Sequence, residues 1–216
     1  KHFEKYFHLP ELKRRENLQK LIELRDKILR DFPGVSVASD QMYRESDLAI
    51  DYCEDTNHLP SETVAKITIE QLKEIAEIVH EYNAYIVGDG VSYAPHGFPN
   101  VKELDVDFYA FSLYKTYGPH LGLLYGKKEI LNKLENQNHK FLEGDVPYTL
   151  NPGGPNHEEL SSLIGIYEYF DNLYKHHFSD ANINIRKKID KINDIISNHE
   201  EKIANPLLDF ISLNKN

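Results

Sequence analysis

Two short apolar runs constrain the fold of this chain more than any other feature. The run Tyr85–Asp89 predicts a short buried strand that ends in a carboxylate, and the run Asp107–Leu113 predicts a strand that ends just before Lys115. The segment Gly90–Val106 between them is long enough for the crossover that joins parallel strands. If the two strands are neighbours, Asp89 and Lys115 emerge at the same edge of one sheet, which is where ligands bind in open α/β sheets.

The lysine is followed by a turn that is expected to hold it in place. Gly118 and Gly122 bracket this turn, and a third apolar run, Leu121–Tyr125, predicts another strand. Most lysines are solvated surface charges, but an amine that is held and partly removed from water can attack a carbonyl and form a Schiff base. A reactive amine and a fixed carboxylate are the two groups that a pyridoxal phosphate site needs. For Asp89 the alternative is a turn or helix-cap carboxylate, which an Asp-Gly pair favours.

Helical periodicity marks the segments before these strands. Pro10–Asp31 predicts a helix, and Val35–Ala38 predicts a short strand. Ser39–Pro60 is polar and predicts a loop. The next helix is predicted to start near Thr68, because Thr68 and Gln71 have the spacing of a capping box.

Further helices are predicted after the strands. Lys127–Glu135 predicts a short helix, followed by the loop Phe141–Gly154, where cofactor or partner contacts could fall. Another helix is expected to begin at Pro155. The segment Ile183–Ile211 is long and amphipathic, and Pro206 within it predicts a kink or break. Helices that alternate with apolar strands indicate an α/β fold.

Four segments, in the same order along the chain, carry a resemblance to a known family. They are Val87–His96, Leu104–Lys115, Tyr117–Gly126 and Asn151–Glu158. Together they resemble the class V aminotransferases and, within that family, the cysteine desulfurase-like branch. The resemblance extends over Thr56–Asp171, and the ordered match of several motifs makes it specific, although no single motif would.

The resemblance implies a fold, a reaction class and a cofactor. It implies an α/β fold with a mixed, mainly parallel sheet flanked by helices, similar to the large domain of fold-type I pyridoxal-phosphate enzymes but incomplete. It also implies a pyridoxal-phosphate-dependent enzyme, an aminotransferase or a desulfurase-like protein, that acts on an amino acid through a lysine aldimine. A homodimer in the cytoplasm is expected.

Three residues take the main roles that the resemblance implies. Lys115 would be the catalytic lysine that carries the cofactor as an aldimine. Asp89 would pair with the pyridine nitrogen, and Ser112 would bind the phosphate.

Other positions depart from the family pattern. Tyr114 stands where many relatives have a histidine that also touches the phosphate, and a phenol brings one hydrogen bond but no positive charge. Ser92 is shorter than the glutamine that usually meets the cofactor's ring oxygen. Gly154 stands in place of a threonine that reaches the phosphate across the dimer interface, so only its backbone amide could do so. Asn57 is a candidate counterpart of the asparagine near the substrate carboxylate.

The chain is expected to be a piece, or a shortened relative, of such an enzyme. Residues 1–55 are expected to form a helical N-terminal segment, 56–154 the core of the cofactor-binding large domain, and 155–216 helices that lead toward a missing small domain. The glycine- and threonine-rich phosphate turn of the family is not recognisable before Thr56, and the chain opens at Lys1. The alternative to an enzyme is a non-catalytic fragment or degenerate relative that serves dimerisation.

Composition argues against several other classes of protein. A net charge of −10 argues against nucleic acid and anionic membranes as partners, and no apolar run approaches the roughly 18 residues of a spanning helix. The single cysteine, Cys53, fits a reducing cytosol. The histidines lack the spaced carboxylate or thiolate partners of a metal site. A nucleotide-binding α/β domain is a weaker alternative, because no Gly-x-Gly-x-x-Gly follows a strand.

Overall fold

The computed structural model of the chain divides into two compact units, Lys1–Ile86 and Val87–Asn216. The residues that the structure describes are 5–51, 61–145, 148–151, 153–180 and 182–213. The functional division expected from the sequence, with boundaries after residues 55 and 154, remains a prediction.

The first unit contains two long helices and a small sheet. The helices are α1, Glu11–Asp31, and α2, Ser61–Glu81. Between them in sequence, strand β1, Ser36–Val37, pairs antiparallel with strand β2, Ile50–Asp51. The helix predicted for the start of the chain is therefore confirmed to within one residue.

Apolar side chains from both helices form the core of this unit. The buried members are Leu24, Ile28, Phe32, Ala76, Val79 and Ile86. An ion pair connects the same two helices, since the Lys27 Nζ donates to the Glu81 Oε2 at 2.7 Å. This hydrogen bond raises the pKa of Lys27.

Two boundaries in the first unit differ from the predicted ones. Helix α2 begins at Ser61 rather than near Thr68, because no glycine or proline interrupts the sequence from 61 onward. The polar segment Ser39–Pro60 contains a 3-10 turn, Gln41–Tyr43, in addition to β2.

The Gln41 side chain stabilises the described part of this polar segment, residues 39–51. Its amide nitrogen donates to the Asp47 backbone oxygen at 2.9 Å, and its amide oxygen accepts from the Ala49 N–H at 2.8 Å. The Ala38 N–H also donates to the Ala49 oxygen at 3.0 Å. The Gln41 side chain thus holds residues 47–49, just before β2, next to the 3-10 turn.

The second unit contains a three-stranded sheet. Its strands are β3, Val87–Asp89; β4, Phe108–Ser112; and β5, Gly122–Gly126, in the order β3-β4-β5. Strand β3 runs parallel to β4, with Asp89 opposite Ala110, and β5 runs antiparallel to β4. The prediction that the first two apolar runs are parallel neighbours is confirmed, and the fold is mixed α/β with a small mixed sheet.

Strand β3 is shorter and more exposed than the sequence predicts. Gly88 is its buried residue, whereas Val87 and Asp89 are exposed. Val87, although apolar, therefore does not lie in the core of the unit.

Four helices follow the sheet in the described part of the second unit. They are α3, Lys128–Leu131; α4, His157–Ser162; α5, Ile164–His177; and α6, Ile185–Leu213. The single helix expected after the long loop is in fact two helices that meet at Leu163. The Asn156 side chain caps α4 by accepting from the Glu159 N–H at 3.1 Å.

Helices α5 and α6 pack against each other around Phe170, Tyr174 and Ile192. Pro206 lies inside α6 and does not end it, so of the predicted kink or break the break is wrong, and the kink stays a prediction. Proline removes one backbone hydrogen bond, and the remaining bonds keep the helix continuous.

A buried ion pair fixes the start of β4, at the end opposite Ser112. The Lys127 Nζ lies 2.6 Å from the Asp105 Oδ1 and 3.0 Å from the Asp107 Oδ1, and Asp107 is only 3% exposed. Burial lowers the pKa of Lys127, but the hydrogen bonds to Asp105 and Asp107 outweigh burial and raise the pKa overall. The Lys127 N–H also donates to the Asp107 oxygen at 2.9 Å, which ties the end of β5 to the start of β4.

Candidate functional site

Asp89 lies at the end of β3 and begins a tight turn. Its Oδ1 accepts a hydrogen bond from the Val91 N–H at 2.9 Å, and the residue is exposed. The turn role that an Asp-Gly pair favours is therefore present in the structure. Because this bond engages only Oδ1, the Oδ2 can still accept a hydrogen bond from a bound group.

Gly90 allows β3 to approach β4 closely at this edge. A methyl group added at Gly90 would lie 2.1 Å from the Oη of Tyr109, whose side chain is buried. The Gly90 N–H donates to the Ala110 oxygen at 2.8 Å and extends the parallel ladder past Asp89. Because Gly90 has no side chain, the end of β3 can pack closely against β4.

Lys115 lies one short turn beyond the end of β4. The 3-10 turn Leu113–Thr116 follows Ser112 directly, and Lys115 is half-buried within it. Thr116 is 1% exposed, and its Oγ1 donates to the Leu113 oxygen at 2.9 Å. Together with buried Leu113, this contact fixes the backbone on both sides of the lysine.

The turn after the lysine is equally constrained. Tyr117 has a left-handed backbone with φ of 64°, which is uncommon for a residue with a side chain. The Gly118 N–H donates to the Leu113 oxygen at 2.9 Å, and the Leu113 N–H donates to the Leu121 oxygen at 2.8 Å. A methyl group at Gly118 would lie 2.5 Å from the Ile166 Cδ1 and 2.9 Å from the Leu113 oxygen, so only glycine fits.

Two aromatic pairs flank the lysine turn. The Tyr114 ring stacks on the His120 ring, with centroids 5.0 Å apart and planes 18° apart. The Tyr117 ring contacts Tyr169 with centroids 4.6 Å apart. Partial removal from water raises the pKa of Tyr117, and the neighbouring Tyr169 raises it further. Sequence reasoning did not single out His120; the glycines that bracket its turn were the available signal, because a tight turn can return residue 120 to residue 114.

The other predicted site residues are distributed as follows. Ser112 is half-buried and lies opposite Gly122 at the end of β4. Ser92 is exposed in the turn that follows Asp89. Gly154 is exposed, with no atom within 4 Å of an added methyl group. Asn57 lies outside the described residues, as does Cys53.

An apolar cavity of about 470 Å³ lies elsewhere in the second unit. Its lining includes Leu113, Leu123, Phe170 and Ile189, and it does not include Lys115. This cavity is therefore lined mainly by apolar side chains, and the Lys115 amine is not part of its lining. In the part of the chain that is described, no group of three or more His, Cys, Asp or Glu side chains could hold a metal ion. Among the described helices, none combines the length and apolarity that crossing a membrane requires.

The chain matches a family model and several curated proteins. The model for aminotransferase class-V matches residues 61–204. The aminotransferase-like protein FGM3 of Gibberella zeae is 36% identical over 146 residues, which cover 67% of this chain and 33% of that protein. A probable cysteine desulfurase of Halalkalibacterium halodurans is 35% identical over 156 residues, which cover 67% of this chain and 34% of that protein. The chain therefore spans about a third of the length of these relatives.

One solved structure with a related sequence is a cysteine desulfurase, CsdA from Escherichia coli. It is 31% identical and has a TM-score of 0.41, and the match covers 46% of this chain and 28% of that one. The relationship of this chain to the family rests on the sequence matches. Those matches confirm the resemblance to the class V aminotransferases and to the cysteine desulfurase-like branch.

Proposed function

The chain belongs to the aminotransferase class-V family, and from this premise we propose that it is part of a pyridoxal-phosphate-dependent enzyme that acts on an amino acid. The observation that carries the proposal is the shared edge of two parallel strands. Asp89 ends β3 opposite Ala110. Beyond Ala110 the chain reaches Ser112, the last residue of β4, and then the half-buried Lys115 in the 3-10 turn that follows. An acid, a hydroxyl and an amine thus follow the same ends of neighbouring strands.

The chemistry of these three groups fits the cofactor. The Lys115 Nζ would hold it covalently as a Schiff base, the Asp89 carboxylate would pair with the pyridine nitrogen, and the Ser112 hydroxyl would donate to the phosphate. When bound, the cofactor supplies an electron-withdrawing ring that lowers the cost of breaking a bond at the substrate Cα. Once the substrate amine had displaced it from the cofactor, the freed Lys115 amine would act as the base that takes the Cα proton. The backbone contacts of Leu113 and Thr116 would keep this amine at the site.

Four further positions complete the proposed site. Tyr114 would donate one hydrogen bond to the phosphate, and the Ser92 hydroxyl would lie near the ring oxygen of the cofactor. The Gly154 backbone amide would reach the phosphate of the partner subunit in a homodimer, and Asn57 would lie near the substrate carboxylate. The single cysteine favours a reducing compartment, and we therefore expect a cytoplasmic enzyme. The relatives are about three times as long as the matched region. The reaction of the whole protein is therefore proposed here as well.

A second candidate function, non-catalytic dimerisation, has one structural observation in its favour. The last turns of α6 expose several large apolar side chains, namely Ile203, Leu207, Phe210, Ile211 and Leu213. An exposed apolar face of this kind favours association. This alternative predicts self-association in sedimentation without cofactor binding.

Absorption spectroscopy tests the proposed function. The recombinant chain mixed with pyridoxal phosphate should develop the absorption band of a protein-bound Schiff base. Lys115→Ala should abolish the band, whereas Lys128→Ala, which changes an exposed lysine in α3, should retain it. If the unsubstituted chain gives no band but self-associates, the dimerisation alternative replaces the enzyme proposal.

A further inference from the structure

We propose that His120 is a phosphate ligand of this site, paired with Tyr114, and supplies an N–H donor beside the single O–H donor of the phenol. This inference rests on the proposed function, because it concerns the phosphate of the same cofactor. It assigns a role to a side chain that lies five residues beyond the catalytic lysine and outside the set of residues that the family pattern provides.

The first support is the geometry of the two rings. The Tyr114 and His120 centroids are 5.0 Å apart and the planes differ by only 18°, so the rings lie face to face. Both residues are exposed. A phosphate that accepts a hydrogen bond from Tyr114 has further oxygens that the neighbouring imidazole can reach at this ring separation.

The second support is the rigidity of the backbone that carries His120. The Leu113 N–H donates to the Leu121 oxygen at 2.8 Å, and the Leu121 N–H donates to the Pro119 oxygen at 2.8 Å. His120 lies between these residues, so its backbone is fixed to the start of the lysine turn. The backbone hydrogen bonds of the turn thus help to hold His120 beside Tyr114, in addition to the contact between the two side chains.

The third support is chemical. A phenol offers one O–H donor, and the imidazole beside it offers a further N–H donor. Hydrogen bonds to a charged phosphate are about twice as strong as hydrogen bonds between neutral groups. The other aromatic residue of the turn, Tyr117, contacts Tyr169 and Phe170, which leaves His120 as the ring that stacks beside Tyr114.

Comparing two aldehydes tests the assignment. Pyridoxal phosphate and pyridoxal form the same Schiff base, but only the first carries a phosphate. We expect His120→Phe to keep the flat stack and to weaken pyridoxal phosphate binding about tenfold or more, with pyridoxal binding unchanged. The double variant Tyr114→His/His120→Phe should recover most of the lost affinity, because it returns an imidazole to the neighbouring position.

His139→Phe is the matched control. His139 is also exposed and also stacks on an aromatic ring, Phe141, with centroids 5.3 Å apart and planes 7° apart. This variant should bind both aldehydes as the unsubstituted chain does. Urea denaturation of each variant checks that the fold is retained.

Three results bear on the inference, and they are distinguishable. If the unsubstituted chain binds neither aldehyde, the proposed function fails. If it binds pyridoxal phosphate and His120→Phe binds it equally well, the stack is a packing contact and the inference is overturned. If His120→Phe weakens the binding of both aldehydes equally, His120 acts on the lysine turn and not on the phosphate. The inference is then also overturned.

Discussion

The Gly90 N–H donates a hydrogen bond of 2.8 Å to the Ala110 oxygen, which extends the parallel pairing of β3 and β4 by one residue beyond Asp89. The turn after Asp89 is therefore anchored to the strand that leads to Lys115. This backbone bond, together with the packing of Tyr109 against Gly90, defines the edge on which the proposed site depends.

Replacing Gly90 with alanine should disturb this edge. The added methyl group would lie 2.1 Å from the Tyr109 Oη and 2.2 Å from its Cζ, and overpacking of a buried ring costs about 1–3 kcal/mol. We expect the free energy of unfolding in urea to fall by that amount. Gly165→Ala is the control, because no atom lies within 4 Å of its added methyl group and alanine favours a helix. Equal stability of the two variants would contradict the close packing at Gly90.

Replacing Lys127 with methionine should destabilise the start of β4. Methionine keeps the apolar stem but leaves the buried Asp107 carboxylate without its cation, and breaking a buried pair in this way costs about 3 kcal/mol. Lys128→Met, at the exposed neighbouring position, should change the free energy of unfolding little. The double variant Lys127→Met/Asp107→Asn should regain part of the loss, and additive losses would argue against a direct interaction.

The ion pair between α5 and α6 predicts a stability change in acid. Hydrogen bonds from Lys175 and Lys188, both at 2.6 Å, lower the pKa of Asp171. A lowered pKa in the folded state contributes stability above the ordinary value of 3.8, and this stability is lost as the pH falls through the folded pKa. Asp171→Asn should therefore reduce the urea midpoint at neutral pH.

The difference between Asp171→Asn and the unsubstituted chain should shrink only below the ordinary pKa of 3.8. Asp209→Asn, at an exposed position late in α6, provides the comparison. A difference that stays constant from neutral pH into strong acid would exclude the lysine contacts as the source of the stability.

Replacing Gly154 with threonine should strengthen cofactor binding. The position has open space around it, so the threonine that the family resemblance implies at this position should fit without loss of stability. Its hydroxyl would add a donor to the phosphate of the partner subunit, and we expect several-fold tighter binding of pyridoxal phosphate, in line with about 1 kcal/mol for one hydrogen bond. Gly153→Thr, at an equally open neighbouring position, should leave the affinity unchanged. If the Gly154→Thr and Gly153→Thr variants bind pyridoxal phosphate with the same affinity, Gly154 does not face the phosphate.

The strands that lead to the site could be predicted from local sequence. Strands β4 and β5 begin and end within one residue of the apolar runs Asp107–Leu113 and Leu121–Tyr125, because each run is apolar and is followed or preceded by a glycine turn. Their pairing could be predicted as well, since the segment Gly90–Val106 has the length of a parallel crossover.

Features that depend on individual side-chain contacts or on unusual backbone conformations could not be predicted from the sequence pattern. Strand β2 forms because the Gln41 side chain holds the turn before it, and no local pattern reveals that contact. Helix α2 begins before the capping signal at Thr68 and continues through it, because a cap residue is tolerated inside a helix when the rest of the sequence favours helix. The turn that leads to His120 includes the left-handed backbone of Tyr117, which is uncommon for a residue with a side chain.

Chemical trapping of the cofactor on one lysine tests the central claim most directly. The chain is mixed with pyridoxal phosphate and reduced with borohydride, which makes a Schiff base permanent, and the modified peptide is identified by mass spectrometry. We predict a single modification, on Lys115, because the turn Leu113–Thr116 fixes this residue at the sheet edge that also carries Asp89. Modification spread over the exposed lysines, or none at all, would contradict the account.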